Sequence, residues 1–115
     1  MLAEMSIMWD TETMEYEIAI TEEYLEWLLK QPQKAQGQIE KRLAMIRLDG
    51  FFGLCKDLDD GVWELKWIDG RRVYYAYIPK EKILLLLGGN KNGHDKDIKK
   101  AKKIFKEKAC LYVKT

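Results

Sequence analysis

The chain has 115 residues, of which 47% are hydrophobic and 34% charged, with a formal net charge of +1; these values are typical of a single soluble globular domain with one core. No apolar run approaches the ~20 residues that a membrane-spanning helix needs, and the N-terminal residues lack the basic and apolar segments of a secretory signal. We therefore expect a cytoplasmic protein without a membrane partner.

The small net charge conceals two parts of opposite character. Residues 1–31 contain eight acidic residues and one basic residue, Lys30, whereas residues 91–108 contain eight lysines and three acidic residues. One part of the chain therefore repels a polyanion and the other attracts it. The two cysteines, Cys55 and Cys110, lack the spacing of a metal site and are expected to be reduced thiols.

The beginning of the chain is predicted to contain an extension followed by a strand. Residues 1–13 show no clear period and are interpreted as a peripheral extension, with a single domain over residues 14–115. Apolar side chains alternate with polar or small ones over residues 15–20. This pattern predicts a half-buried strand.

Two helices follow and are joined at a proline. Thr21 is a suitable N-cap, with acidic residues in the first turn behind it, where the helix dipole favours anions. Pro32 ends this helix near Lys30. Apolar residues at spacings of three and four predict a second helix over residues 33–48, and Gly50 suits the left-handed conformation of a C-cap.

The remaining residues predict three antiparallel strands and a last helix. Residues 62–68 alternate strictly, and Asp69-Gly70 is a hairpin signal before the returning strand over residues 71–78. A run of leucines within residues 82–88 predicts a central strand covered on both faces. The core face of the first of these strands is expected to contain Trp63, Leu65 and Trp67.

These elements together predict an α+β fold. We expect a twisted, mainly antiparallel four-stranded sheet with an N-terminal helical hairpin packed on one face and a C-terminal helix over residues 97–109. Before that helix lies a cationic turn with Lys91 and His94, and backbone amides beside a helix N-terminus suit a phosphate. The four strands are expected over residues 15–20, 62–68, 71–78 and 82–88.

Several short motifs occur in a characteristic order and spacing. They are GLCKDL at 53–58, GVWELK at 61–66, RVYY at 72–75, LLGGNK at 86–91 and DIKKA at 97–101. In this order they resemble the RelE/ParE superfamily of bacterial toxins, and most closely the HigB-like, phage-associated branch called addiction-module killer proteins. The resemblance covers residues 14–108, which is nearly the whole chain.

This resemblance implies a compact toxin that is held inactive by an antitoxin, here expected to carry a helix-turn-helix domain. Many members cleave messenger RNA, in part on the ribosome, without a metal, so no cofactor is expected. The ParE branch poisons DNA gyrase instead, and a non-catalytic phage-derived regulator of the same fold is a further alternative. Since the fold leaves the activity open, the site must decide between them.

Metal-free RNA cleavage needs a base, an acid and cations that stabilise the charge growing on the phosphate. By the resemblance, Arg72 matches the arginine at the start of the penultimate strand, and Lys66 matches the basic residue after Glu-Leu on the neighbouring strand. Lys91 follows the last strand, and His94 lies near it; histidines in general can act as acid or base near neutral pH. We expect these four residues to be catalytic.

Some of these residues have structural alternatives that the sequence leaves open. Arg72 can form an ion pair with Glu64, and His94 can be a structural turn residue. Tyr74 fits the core more readily than a stacking site, and exposed lysines are often merely solvated. The residues expected to contact RNA are Lys56, Arg71, Tyr74 and Lys96.

Overall fold

The computed structural model of the chain describes residues 15–113, and the predicted extension over residues 1–13 lies outside them. A short 3-10 turn, Lys91–Gly93, leads from the last strand into the last helix. No helix among residues 15–113 is both long and apolar enough to cross a membrane. The strands are β1 (Glu17–Ile20), β2 (Cys55–Asp57), β3 (Val62–Lys66), β4 (Arg71–Ile78) and β5 (Lys82–Asn90), and the helices are α1 (Glu22–Leu29), α2 (Gln33–Asp49) and α3 (His94–Val113).

One mixed sheet of five strands, in the order β1-β5-β4-β3-β2, forms the central layer. The strand expected over residues 15–20 is confirmed as part of this sheet, since β1 runs parallel to β5. The other neighbouring strands are antiparallel. The expectation of four strands was wrong, because Cys55–Asp57 adds a fifth at the edge beside β3. Three residues are too few for a period of two to be recognised.

The junction between β1 and α1 is held by Thr21, which is buried. Its hydroxyl donates a hydrogen bond to the carbonyl oxygen of Leu86 at 2.8 Å and accepts one from the backbone N–H of Tyr24 at 3.0 Å. The second bond is the predicted N-cap. The first fastens the start of α1 to β5, so that the helix turns back over the sheet.

The helical hairpin of α1 and α2 covers one face of the sheet. Trp63 and Trp67 pack at the margin of this core and remain partly exposed. Arg42 on α2 lies 4.4 Å above the ring of Trp67. Gly50 ends α2 at a φ of 67°, the left-handed conformation that the sequence predicted. The buried residues on this face are Tyr24, Ile39, Leu43, Ile46, Leu65, Val73, Tyr75, Ile83 and Leu85.

The opposite face is covered by α3, so the sheet lies between two helical layers. The pairing of β4 with β5 shifts register between Tyr74 and Tyr75. This irregularity is consistent with a bulge, and Leu86 and Leu87 both join the core under α3. The buried residues on this face are Leu58, Val62, Tyr74, Ala76, Ile78, Leu84, Leu86, Leu87, Ala101 and Ile104.

Thr21→Ala is expected to lower the free energy of unfolding by about 1–2 kcal/mol, because it removes the N-cap and a buried hydrogen bond to Leu86. Thr21→Ser keeps the hydroxyl and should lose much less. Urea denaturation followed by circular dichroism measures both changes. Equal losses for the two variants would show that the hydroxyl does not hold this junction.

Candidate active site

A buried acidic residue lies on the face of the sheet that α3 covers. Glu64 on β3 is 0% exposed, and its carboxylate contacts one side chain from β4 and one from α3. Oε1 lies 2.9 Å from Nε of Arg72, and Oε2 lies 3.0 Å from Nε2 of His94. Removing a carboxylate from water costs several kcal/mol unless cations and hydrogen bonds replace the water. The burial of Glu64 therefore depends on these two partners.

The register of the sheet brings the members of this cluster together. Glu64 is opposite Tyr74, and Lys66 is opposite Arg72, on the antiparallel strands β3 and β4. Directly opposed residues of such a pair lie on the same face, so Glu64, Lys66 and Arg72 all lie on the face of α3. His94 is the first residue of α3 and arrives there through the tight turn after β5.

The guanidinium of Arg72 is held along its inner side. Besides the ion pair with Glu64, Nη1 donates to the carbonyl oxygen of Arg71 at 3.1 Å and more weakly to that of Trp67 at 3.4 Å. Only 13% of the Arg72 side chain is exposed. The ion pair that the sequence left open is therefore present, and a phosphate could reach only the outer edge of the guanidinium.

His94 is more accessible than its partners, with 32% of its side chain exposed. An ionised carboxylate only accepts hydrogen bonds, so the contact with Glu64 places the proton of a neutral imidazole on Nε2. Nδ1 is then the nitrogen that can accept a proton. A carboxylate that fixes the tautomer and orientation of a histidine is typical of acid–base sites. This geometry suits a catalytic role as well as a structural one.

The last helix begins three residues earlier than the sequence predicted, at His94 instead of residue 97. The turn before it is capped by Asn90, whose side chain accepts a hydrogen bond from the backbone N–H of Asn92 at 2.9 Å. His94 is therefore part of the helix, and its ring reaches Glu64 on the sheet.

The paired glycines of β5 make room for side chains on both faces of the sheet. A Cβ at Gly88 would lie 2.1 Å from the indole ring of Trp27, and a Cβ at Gly89 would lie 2.2 Å from Oδ2 of Asp97. Asp97 follows His94 by three residues and so lies on the same side of α3. Burial raises the pKa of the Asp97 carboxyl, although nearby lysines act in the opposite direction.

Tyr74 belongs to the core and not to the surface. Its side chain is 0% exposed, and its hydroxyl has no hydrogen-bond partner within residues 15–113. Burial raises the pKa of this hydroxyl, and the negative charges of Asp97 and Glu64 raise it further. The expectation that Tyr74 contacts RNA is corrected, because the sheet and α3 enclose the ring and leave no face open to a base.

Two of the expected cationic residues lie beside the cluster on neighbouring strands. Lys56 on β2 is directly opposite Glu64 and is exposed. Lys66 is directly opposite Arg72 and is partly buried. Both therefore lie on the face of α3, at the margin of the cluster.

The other two expected lysines lie where β5 leads into α3, Lys91 in the connecting turn and Lys96 in the helix. The backbone N–H of Lys91 donates to the carbonyl oxygen of Gly70 at 2.9 Å, and its side-chain stem passes over that glycine. Lys96 is exposed in the first turn of α3. A shallow depression of about 530 Å³ is lined by residues 91–96, so the turn that suits a phosphate is open to solvent.

Arg71 lies on the other face of the sheet. Its guanidinium is 3.0 Å from the carboxylate of Asp69 and donates to the side chain of Gln38 at 3.1 Å, on the side of the helical hairpin. Successive residues of a strand point to opposite faces, so the sheet separates Arg71 from Arg72. Contrary to the sequence expectation, Arg71 is not brought to the cluster.

Two members of the site were not recognised as such from the sequence. The sequence predicts Glu64 only as a possible ion-pair partner of Arg72, and Asp97 is not among the predicted site residues. The sequence feature that indicates a side chain packed closely on β5 is the pair Gly88-Gly89, since glycines inside a strand mark the close approach of another element. Among residues 15–113, no group of three or more His, Cys, Asp or Glu side chains is arranged to hold a metal ion.

The chain is similar to proteins of one family and one fold. Residues 26–108 match the family described as phage-derived Gp49-like protein. An uncharacterized protein of Haemophilus influenzae is 35% identical over 98 residues, which cover 82% of this chain and 97% of that protein. A mutant of the E. coli toxin RelE in the free state has a TM-score of 0.63 at 18% identity, over 79% of this chain and 99% of RelE. The RelBE2 toxin–antitoxin complex of Mycobacterium tuberculosis has a TM-score of 0.52 at 13% identity, over 67% of this chain and 92% of the matched chain.

Gly88→Ala is expected to lower the free energy of unfolding by about 1–3 kcal/mol, because the new methyl group overlaps the rigid indole of Trp27. Gly89→Ala should cost less, since the carboxylate of Asp97 ends a side chain that can rotate away. Gly37→Ala is the control: a Cβ there meets nothing within 4 Å, and inside α2 it should add about 0.5–1 kcal/mol. Urea denaturation ranks the three variants, and a Gly88→Ala protein as stable as Gly37→Ala would contradict the packing described for β5.

Proposed function

We propose that this chain is the toxin of a type II toxin–antitoxin pair and that it cleaves messenger RNA as a metal-independent endoribonuclease. The chain belongs to the phage-derived Gp49-like family and has the RelE fold. The observation that carries this proposal is the cluster in which buried Glu64 holds Arg72 and His94. A histidine oriented by a carboxylate, with cations beside it, supplies the acid–base and charge-stabilising groups of phosphodiester cleavage.

In the proposed reaction the 2′-oxygen of the RNA attacks the adjacent phosphorus, and the bond from phosphorus to the 5′-oxygen breaks. The 2′-hydroxyl loses a proton, the leaving 5′-oxygen gains one, and the phosphate remains as a 2′,3′-cyclic ester. His94 transfers one of these protons, and Glu64 stabilises the imidazolium that forms. Arg72, Lys66 and Lys91 stabilise the charge that grows on the phosphate in the transition state.

The charges at the margin of the cluster favour a polyanion, although the whole chain is nearly neutral. Arg72 offsets the buried charge of Glu64. Asp95 is an exposed acid in the first turn of α3, and its negative charge offsets part of the positive charge of the lysines. The lysines outnumber the unpaired acids here, so we expect a positive local potential that draws an RNA strand to this side of the sheet. The margin lysines, those beside the cluster, in the turn before α3 or in the first turn of α3, form no ion pair among residues 15–113; they are Lys56, Lys66, Lys91 and Lys96.

The proposed partner that keeps the toxin inactive is an antitoxin, expected to carry a helix-turn-helix domain. Solved structures of similar fold include the RelBE toxin–antitoxin complexes of E. coli and of Mycobacterium tuberculosis. A protein that cleaves messages must be masked in the cell that makes it. Exposed lysines around the cluster offer charge-complementary contacts to an acidic partner.

His94→Gln tests the acid–base role directly. Glutamine can still donate a hydrogen bond to Glu64 but cannot transfer a proton, so the cleavage rate should fall by about 10²-fold or more while the free energy of unfolding changes little. The rate is measured with purified protein and RNA, and primer extension on cellular messages locates the cuts. A His94→Gln protein with the wild-type rate would reduce His94 to a structural residue.

Lys66→Ala and Lys91→Ala test the stabilisation of the phosphate. Each removes a cation at the margin, and losing one such donor typically costs about 3 kcal/mol of barrier, or roughly a hundredfold in rate. Lys41→Ala on the exposed side of α2 is the matched control and should have no effect. If both site variants keep full activity in folded protein, the proposed chemistry at this face is excluded.

Arg72→Ala is expected to lose activity and stability together. It leaves the buried carboxylate of Glu64 with the ring of His94 as its remaining side-chain partner, and breaking a buried pair typically costs about 3–5 kcal/mol. The double variant Glu64→Gln/Arg72→Gln removes both charges at once and should recover much of the stability without the activity. Recovery of cleavage in that double variant would show that Arg72 is not needed for the reaction.

Co-expression with the product of the adjacent gene should relieve growth arrest and yield a stable complex. The complex should protect the margin lysines from acetylation by a water-soluble reagent, as read by mass spectrometry. If none of the neighbouring gene products binds, the toxin–antitoxin assignment fails even where RNA cleavage is observed.

A further inference from the structure

We propose a second RNA-binding surface, remote from the cluster around Glu64, in the groove between the C-terminal half of α3 and the turn that joins β2 to β3. This α3 groove binds the backbone and one base of the single-stranded RNA whose scissile phosphate lies at the cluster, so the inference rests on the proposed function. The groove has a volume of about 690 Å³ and is lined by Asp60, Lys102, Lys103, Phe105, Lys106 and Ala109.

The lysines on this part of α3 differ in their partners. Lys102 is 3.2 Å from the carboxylate of Asp60, which offsets its charge. Lys103 and Lys106 are exposed and form no ion pair among residues 15–113. They are three residues apart and therefore neighbours on the helix surface. Two adjacent uncompensated ammonium groups attract a nucleic-acid backbone through the release of its counterions.

Phe105 supplies an apolar wall beside these lysines. One edge of its ring packs on the turn before β3, where Cε2 lies 2.9 Å from the position of a Cβ on Gly61. Phe105 is only partly buried, and with Ala109 it borders the groove. An aromatic ring next to lysines is the combination by which single-stranded nucleic acids are bound without strong sequence preference, since bases stack on the ring while the phosphates meet the lysines.

The groove and the cluster lie on the same flank of α3. His94 contacts β3 through Glu64, and Phe105 contacts the turn that precedes β3. Three helical turns separate His94 from Phe105, which is about 16 Å along the axis. This distance corresponds to about five stacked nucleotides at 3.4 Å each. An RNA strand with its phosphate at the cluster therefore reaches the groove within about five nucleotides.

An acidic peptide would also be attracted by the lysines of this groove. The aromatic wall and the shared flank with the cluster favour RNA, because neither is needed to bind carboxylates. A peptide ligand is therefore treated as an outcome of the test.

Binding is measured by fluorescence anisotropy with two uncleavable 2′-O-methyl RNAs. The longer RNA has about twelve nucleotides, which is within the range of single-strand site sizes. The shorter RNA is a trinucleotide that fits only the cluster. Lys103→Ala/Lys106→Ala should weaken binding of the longer RNA about tenfold at low salt and reduce the slope of log K against log salt by about 1.4, or 0.7 for each lysine. The trinucleotide should bind as before. Lys34→Ala/Lys41→Ala removes the same charge from α2, on the opposite face of the sheet, and should alter neither affinity.

Asp60→Asn is expected to act in the opposite direction, because it releases Lys102 for the RNA and so tightens binding of the longer strand. Asp60 has a φ of 57°, and asparagine adopts this left-handed conformation readily, so the turn should be kept. Phe105→Leu should weaken binding without changing the salt slope, since it removes stacking and no charge. If the melting temperature shows that Phe105→Leu is unfolded, the binding measurements on Lys103→Ala/Lys106→Ala and on Asp60→Asn decide whether the groove binds RNA.

The outcomes separate this inference from the proposed function. If the wild type binds and cleaves RNA but the Lys103/Lys106 variant behaves like the Lys34/Lys41 control, the groove is not an RNA site and the proposed function stands. If the wild type neither binds nor cleaves RNA, both fail. If a polyglutamate peptide binds with the same dependence on Lys103 and Lys106 while the longer RNA does not, the groove is a protein-docking surface and the inference is overturned.

Discussion

The burial of Glu64 is the constraint on which the candidate site depends. A carboxylate enclosed between a sheet and a helix is tolerated only with charged or hydrogen-bonding partners, and Arg72 and His94 supply them from β4 and from the start of α3. The same contacts join the hairpin of β3 and β4 to the start of α3, which lies thirty residues after Glu64. The group that is costly to bury therefore also orients the imidazole and the guanidinium of the candidate site.

β5 positions the helices because it lacks side chains where they approach. Trp27 from α1 occupies the space above Gly88 on one face, and Asp97 from α3 occupies the space above Gly89 on the other. Two successive glycines thus let both helical layers touch the same short stretch of strand. The close approach of Asp97 brings the first turn of α3 down onto the sheet, and this places His94 within reach of Glu64.

The near-neutral net charge does not show how the opposite charges are distributed in space. The acidic residues of α1 lie close to α3, where Lys108 is 3.0 Å from Glu23, and Asp60 pairs with Lys102 in the same manner. These pairs offset part of the lysine-rich end of the chain. The lysines at the margin of the cluster remain uncompensated within the described residues, so the total charge is a poor guide to the local potential.

Most of the elements follow from local patterns in the sequence, since alternation, the Thr21 cap and the Gly50 cap need only neighbouring residues. Alternation alone also places Arg71 and Arg72 on opposite faces. The edge strand β2 and the start of α3 could not be located in this way, because pairing with β3 and contact with the sheet define them. The sequence by itself thus determined four of the five strands, the presence of the three helices and the cationic turn after β5. Only the tertiary structure decided that Glu64 is buried against His94, thirty residues further along the chain, because burial depends on which distant element covers a face.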